Sequence, residues 1–110
     1  MARSKYNAKR TTVHGTTFAS QREAKRYCEL LLLEKAGEIQ HLELQPVYPI
    51  EVRGALICRY VADFRYREKP LRTGSSGQVV VEDVKGMKTP VYRLKKKLIA
   101  ALYGIQIREV

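Results

Sequence analysis

Ala24, Tyr27, Cys28, Leu31 and Leu32 recur at spacings of three and four, the period of one face of an α-helix. Ser20 with Glu23 three residues on forms a capping box, and Gly37 supplies a C-terminal cap, so a first helix is expected between them. From Ile39 the period shortens through Leu42, Leu44, Val47, Ile50 and Val52, but Pro46 and Pro49 cannot donate to a ladder and restrict this stretch to an irregular or edge strand. Gly54 turns the chain. Leu56 to Tyr66 is rich in β-branched and aromatic residues and reads as a central strand, and residues 67–78, with Pro70, Gly74, Ser75, Ser76 and Gly77, read as a long hairpin loop. Val79 to Lys85 forms the antiparallel partner and stops at Gly86. Thr89 as N-cap and Pro90 at the first helical position open a second helix with the stripe Val91, Leu94, Leu98, Ile99 and Leu102, closed by Gly104. Ile105 and Ile107 begin a last short strand. The order α-β-β-β-α-β implies an α/β fold, a mixed sheet flanked by helices, over residues 18–110. Ahead of it, residues 1–17 show little periodicity and read as a flexible basic arm.

Composition narrows the class. A chain of 110 residues, 45% hydrophobic and 29% charged, is one folded domain. No apolar run approaches the roughly 20 residues of a membrane span, and the polar, basic N-terminus lacks the apolar core of a secretory signal. A cytoplasmic location is expected. Cys28 and Cys58 do not form a CxxC pair, so neither zinc nor a disulfide is expected. Twenty-one Lys and Arg against eleven Asp and Glu leave a formal net charge of +10, which favours a polyanionic partner, with nucleic acid the first candidate. The cations cluster. Arg3, Lys5, Lys9 and Arg10 form an acid-free arm, and Lys88, Arg93 and Lys96 lie in a second acid-free stretch suited to phosphate contacts.

Against this basic background a few acids stand out. Alternation in Val79 to Lys85 puts Val81, Asp83 and Lys85 on one face and Val80, Glu82 and Val84 on the other, so Asp83 is the site acid and Glu82 points away. Val61 and Asp63 share a face in the preceding strand, and hairpin pairing would bring Asp63 beside Asp83. Two converging carboxylates repel unless a cation lies between them, and hard oxygen ligands suit Mg²⁺ or Mn²⁺. Such an ion held against a phosphodiester, with a lysine alongside, is the chemistry of hydrolytic nucleases. Glu23 on the first helix could complete the ligand set. Read singly, Asp63 and Asp83 are also compatible with ordinary strand-end acids, and Glu23 with a capping residue.

Val61-Ala62-Asp63-Phe64, followed twenty residues after Asp63 by Asp83-Val84-Lys85-Gly86, resembles the PD-(D/E)xK nuclease signature, with Ala62 in place of the leading proline. The α-β-β-β-α-β order resembles that superfamily's restriction-endonuclease-like core over nearly the whole chain. The wider string, from Phe18, Ser20 and Glu23 through Gln45-Pro46 to Leu94-Lys95-Lys96-Lys97-Leu98, is similar to small phage-encoded members that look related to junction-resolving endonucleases. The resemblance implies that Asp63, Asp83 and the Val84 carbonyl bind the metal and that Glu23 is an accessory ligand. Lys85 would orient the water and steady the pentavalent phosphorus. Gln45 sits where some relatives place a polar site residue, although a glutamine before proline also suits a turn. A phage protein acting on branched DNA in the host cytoplasm follows from the same likeness. A domain this small covers one scissile phosphate, so two cuts need two copies and a homodimer is expected. A non-catalytic DNA-binding module and an assembly subunit for an acidic protein partner are the competing expectations.

Overall fold

The computed structural model describes residues 9–70 and 77–110. The first ordered element lies inside the stretch expected as an arm. Thr11–Val13 (β1) and Thr16–Phe18 (β2) pair as an antiparallel hairpin, and both pack on the first helix. His14 and Gly15 turn it at positive φ, 49° and 80°. Burial of Phe18 at the end of β2 secures the hairpin, a long-range contact that a search for local periodicity does not register.

Helix α1 (Gln21–Lys35) begins at Ser20, whose hydroxyl accepts from the Glu23 N–H at 3.1 Å, and ends at Ala36 just before Gly37, which takes φ 80°. The chain then forms β3 (Ile39–Leu44) and β4 (Val47–Val52), two strands where one irregular strand was expected. Gln45, at φ 52°, breaks them apart. β4 turns at Arg53 and Gly54, both at positive φ, into β5 (Ala55–Val61), and β6 (Phe64–Glu68) follows after a second break at Ala62 and Asp63. The expected central strand from Leu56 to Tyr66 is therefore two strands in different sheets. Its first half pairs with β4 as a two-stranded ribbon, and its second half joins the main sheet.

That main sheet has four strands in the order β3-β6-β7-β8, where β7 is Val79–Asp83 and β8 is Arg108–Glu109. β6 pairs antiparallel with β3 and β7, while β8 lies parallel to β7 after the crossover through helix α2 (Pro90–Tyr103). The molecule is thus mixed α/β, with two helices and a mixed sheet. β7 lies between β6 and β8, and its Val80 and Val81 are buried on opposite faces while Val79 at its start is exposed. Val80 packs with Ala24, Leu30, Phe64 and Tyr66 on the α1 side, and Val81 packs with Tyr60, Tyr92, Ile99 and Ile107 on the α2 side. The ladder stops at Asp83, two residues before the expected end at Lys85.

Helix α2 keeps its expected caps: the Thr89 hydroxyl accepts from the Tyr92 N–H, and Gly104 takes the left-handed conformation at φ 68°. Its stripe needs correction. Val91, Leu94 and Leu102 are exposed, and the buried residues are Tyr92 and Ile99, with Leu98 half-buried. The helix docks through Tyr92 because that ring reaches Tyr60 and the end of the sheet, and Tyr103 reaches Tyr48 and the Pro49 carbonyl on the ribbon. Cys28 and Cys58 are free thiols, half-buried rather than buried. No helix among the described residues is long and apolar enough to cross a membrane. Residues 1–8, and residues 71–76 of the expected hairpin loop with Gly74, Ser75 and Ser76, lie outside the described residues.

Candidate functional site

The site is built where β7 ends. Asp63, in the break before β6, is tied to the backbone on both sides of Asp83. Its N–H donates to the Glu82 carbonyl at 3.1 Å, and its Oδ2 accepts from the Val84 N–H at 2.7 Å. A third backbone bond, from the Gln45 N–H to the Asp63 carbonyl at 3.0 Å, fixes the break from the β3 side. Asp63 therefore reaches Asp83 because its strand is interrupted, not because an unbroken strand alternates faces. Gln45 is the turn residue: exposed, at positive φ, and engaged with Asp63 through its backbone.

Asp83 is 1% exposed, and both of its carboxylate oxygens are buried without a hydrogen-bond partner among the described residues. The Lys85 Nζ stands 3.6 Å from its Oδ2, an ion pair just outside hydrogen-bond range. Burial pushes the Asp83 carboxyl up to about 6, against the downward pull of Lys85. Asp63 also moves up, through burial first, with its Val84 bond and Lys85 opposing. Glu23 is raised by burial and then by the charge of Asp63, with a smaller contribution from Asp83. Glu23 thus senses both aspartates, and Lys85 acts on all three carboxylates. Glu23, Val84 and Lys85 line a cleft of about 610 Å³ together with Lys9, Arg22 and Thr89. Among the described residues no three His, Cys, Asp or Glu side chains are gathered into a ready metal cage, and Glu23 is coupled to the two aspartates through its charge.

Two further acids near the strand end have their own cations. Glu82 points to the α1 side, away from Asp83, but into the interior and not toward solvent. It is 0% exposed, and it accepts from Arg26 Nε at 2.9 Å and Nη2 at 2.7 Å and from the Tyr66 hydroxyl. The Arg26 guanidinium is held well above its ordinary range chiefly by that bond. Glu109 on β8 lies beside Asp83 in the register and accepts from the Tyr92 hydroxyl at 2.8 Å. Its Oε1 also pairs with Lys88 at 3.2 Å and Lys96 at 3.3 Å, and these donors, Tyr92 first, pull its carboxyl down to about 2. With Glu82 and Glu109 neutralised, Asp63, Asp83 and Glu23 are left facing Lys85, three carboxylates to one ammonium.

Lys88, Arg93 and Lys96 come together, with Lys97 and Gln106, along a groove of about 510 Å³ on α2. Lys9 sits on the other cleft, Arg10 is exposed, and Arg3 and Lys5 lie outside the described residues. Lys95, next to that groove in sequence, turns the other way and donates to the Arg59 carbonyl at 3.1 Å. Sequence reasoning missed Arg22, Arg26, Tyr92 and Glu109. The Arg22 guanidinium is within 3.4 Å of both the Lys85 and Val110 carbonyls. Of the four, only Arg26 carried a signal: one turn past Glu23 on the core-facing helix, it is a cation where a buried acid needs one.

A family profile described as "Protein of unknown function (DUF1064)" matches residues 3–109. No curated protein and no solved structure matches the chain.

Proposed function

The chain belongs to the DUF1064 family, described as of unknown function, and from that premise we propose that it is a divalent-metal-dependent DNA endonuclease with a restriction-endonuclease-like core. One observation carries the reading: Asp83 holds two buried oxygens without hydrogen-bond partners, beside a second carboxylate tethered to the same strand end. A buried carboxylate whose oxygens lack hydrogen bonds is costly, and a hard cation held by Asp63 and Asp83 would remove that cost. Asp63, Asp83 and the Val84 carbonyl would hold Mg²⁺ or Mn²⁺, with water completing the set and Glu23 at its edge. Bound there, the ion supplies positive charge that polarises a phosphoryl oxygen and acidifies an attacking water.

The protein's own groups do the rest. Lys85, steered by Asp83, presents an ammonium to the charge that develops on the phosphoryl oxygens. Asp63, anchored by three backbone bonds, keeps its carboxylate beside Asp83 when substrate arrives. The cleft with Lys9 and Arg22 and the groove with Lys88, Arg93 and Lys96 offer cationic tracks for phosphate backbones. The element order also supports the core. Leaving out the β1–β2 hairpin and the β4–β5 ribbon, which is inserted after β3, the chain runs α1, β3, β6, β7, α2, β8. The preference for branched DNA rests on the sequence resemblance, and the homodimer on the size of the domain, which covers one scissile phosphate and so needs a second copy for a second cut.

The test incubates the protein with a labelled four-way junction, a linear duplex and a single strand, each with Mg²⁺ or a chelator. Cutting that needs the metal is expected, strongest on the junction. Asp83→Asn should abolish it while DNA binding stays or tightens, because a negative charge near phosphate is removed. Cutting by Asp83→Asn at the wild-type rate would refute the site. A non-catalytic DNA-binding module is favoured by the lack of a three-residue cage among the described residues, and it predicts binding without cutting in either metal.

A further inference from the structure

Tyr92 stands between the two cationic tracks and touches both. Its ring lies 4.3 Å beneath the Lys85 Nζ, and its hydroxyl donates to Glu109, which grips Lys88 and Lys96. The residue is 7% exposed and packed at a tilt against Tyr60, so the ring has little freedom to turn. The Lys85 side chain is 25% exposed and follows the last residue of the β7 ladder by only two positions. Asp83, its one carboxylate ion-pair partner among the described residues, stands 3.6 Å away, beyond a fixed hydrogen bond. An ammonium over an aromatic face is attracted by the ring's negative face, more strongly where water is thin, which selects one rotamer of a flexible lysine.

We propose that Tyr92 is a positioning residue that seats Lys85 over its ring, and that Glu109, by holding the phenol, ties that seat to the Lys88 and Lys96 groove. The seat itself is independent of the reaction, but its use in cleavage rests on the nuclease reading above. A phosphate engaging Lys88 and Lys96 competes with Glu109 for the same two ammoniums. Occupation of the groove therefore alters the tether on Tyr92, and through the ring it alters the place of Lys85. Glu109 and Tyr92 thus give the acid-bearing strand end a physical link to the face where DNA lies, within a single turn of α2.

Lysine-selective ¹³C NMR of the full chain reads the seat without any assumption about activity. The Lys85 side-chain signals, identified by their loss in Lys85→Arg, are expected upfield of the solvent-exposed lysines because the ring shields them. Tyr92→Phe, which keeps the ring but loses the Glu109 tether, should reduce that shift in part, Glu109→Gln should reduce it no more than Tyr92→Phe does, and Tyr92→Leu should return Lys85 to the position of free lysines. Wild-type signals already at the free-lysine position overturn the proposal, and this reading stands even if Tyr92→Leu does not fold. In the junction assay, Tyr92→Leu should slow cutting on the order of 100-fold with DNA affinity retained, and Tyr92→Phe should recover most of the rate. Equal losses for Phe and Leu overturn the role of the ring in cleavage. A wild-type chain that cuts nothing removes the nuclease reading, while the NMR result still decides the seat.

Discussion

Asp83 is where charge and burial oppose each other most sharply. Its ordinary value of 3.8 rises to about 6 on folding because burial disfavours the ionised form, so the folded chain holds that proton more tightly than the unfolded chain. Stability from this group is complete below 3.8 and is lost as pH climbs through 6, a loss of about 3 kcal/mol at most. Asp83→Asn in chelator is therefore expected to raise the melting temperature at neutral pH and to flatten the pH dependence between those values, as followed by thermal melts across pH. Glu82 shows the opposite solution to the same problem, a buried acid fully met by Arg26 and Tyr66. Removing one partner of such a pair leaves a charge stranded in the interior. Arg26→Ala should cost about 3 kcal/mol in urea unfolding, because Glu82 has no exposed surface through which water could replace the guanidinium.

At the scale of elements, strand breaks matter more than strands. Gln45 and the Ala62-Asp63 step interrupt what the apolar pattern presents as continuous runs, and together they let the ribbon leave the sheet while the carboxylate stays behind. Gln45 carries a side chain in the left-handed region at φ 52°, where glycine is at ease. Gln45→Gly is expected to stabilise the chain by about 0.5 kcal/mol in denaturant titration, since the backbone bond to Asp63 survives the change. A loss above 1 kcal/mol would show that its side chain does more than turn the chain. Helix α2 illustrates a second lesson of this scale. Its local caps were readable from Thr89, Pro90 and Gly104, but its docking face was not, because two aromatic rings, Tyr92 and Tyr103, outreach the aliphatic stripe.

Across the whole molecule the excess of cations is only partly free to meet an anion. Lys88 and Lys96 already share Glu109, whereas Arg93 lines the same groove without an acid partner among the described residues. For a DNA-binding chain, Arg93→Ala should lower the slope of log affinity against log salt by about one. Lys88→Ala and Lys96→Ala should each lower it by less, because Glu109 competes with phosphate for them. Glu109→Gln should raise affinity at every salt concentration. Fluorescence anisotropy with a labelled duplex measures all four, and a salt slope untouched by any of them would remove the groove from the binding face.

The amino-acid order alone determined the local pieces: helix α1 between Ser20 and Gly37, the caps of α2, the antiparallel pairing of β6 and β7, and the identity of Asp63, Asp83 and Lys85 as residues to watch. These follow from periodicity, capping and alternation, which act over a few residues and leave a mark on any chain that obeys them. Tertiary structure decided the rest. Which half of the Leu56 to Tyr66 run joins the sheet, which face of α2 is buried, and which cation answers Glu82 or Glu109 depend on groups dozens of residues apart. Such pairings leave no period in the chain, because their energy comes from burial and charge that exist only once the distant partners have met.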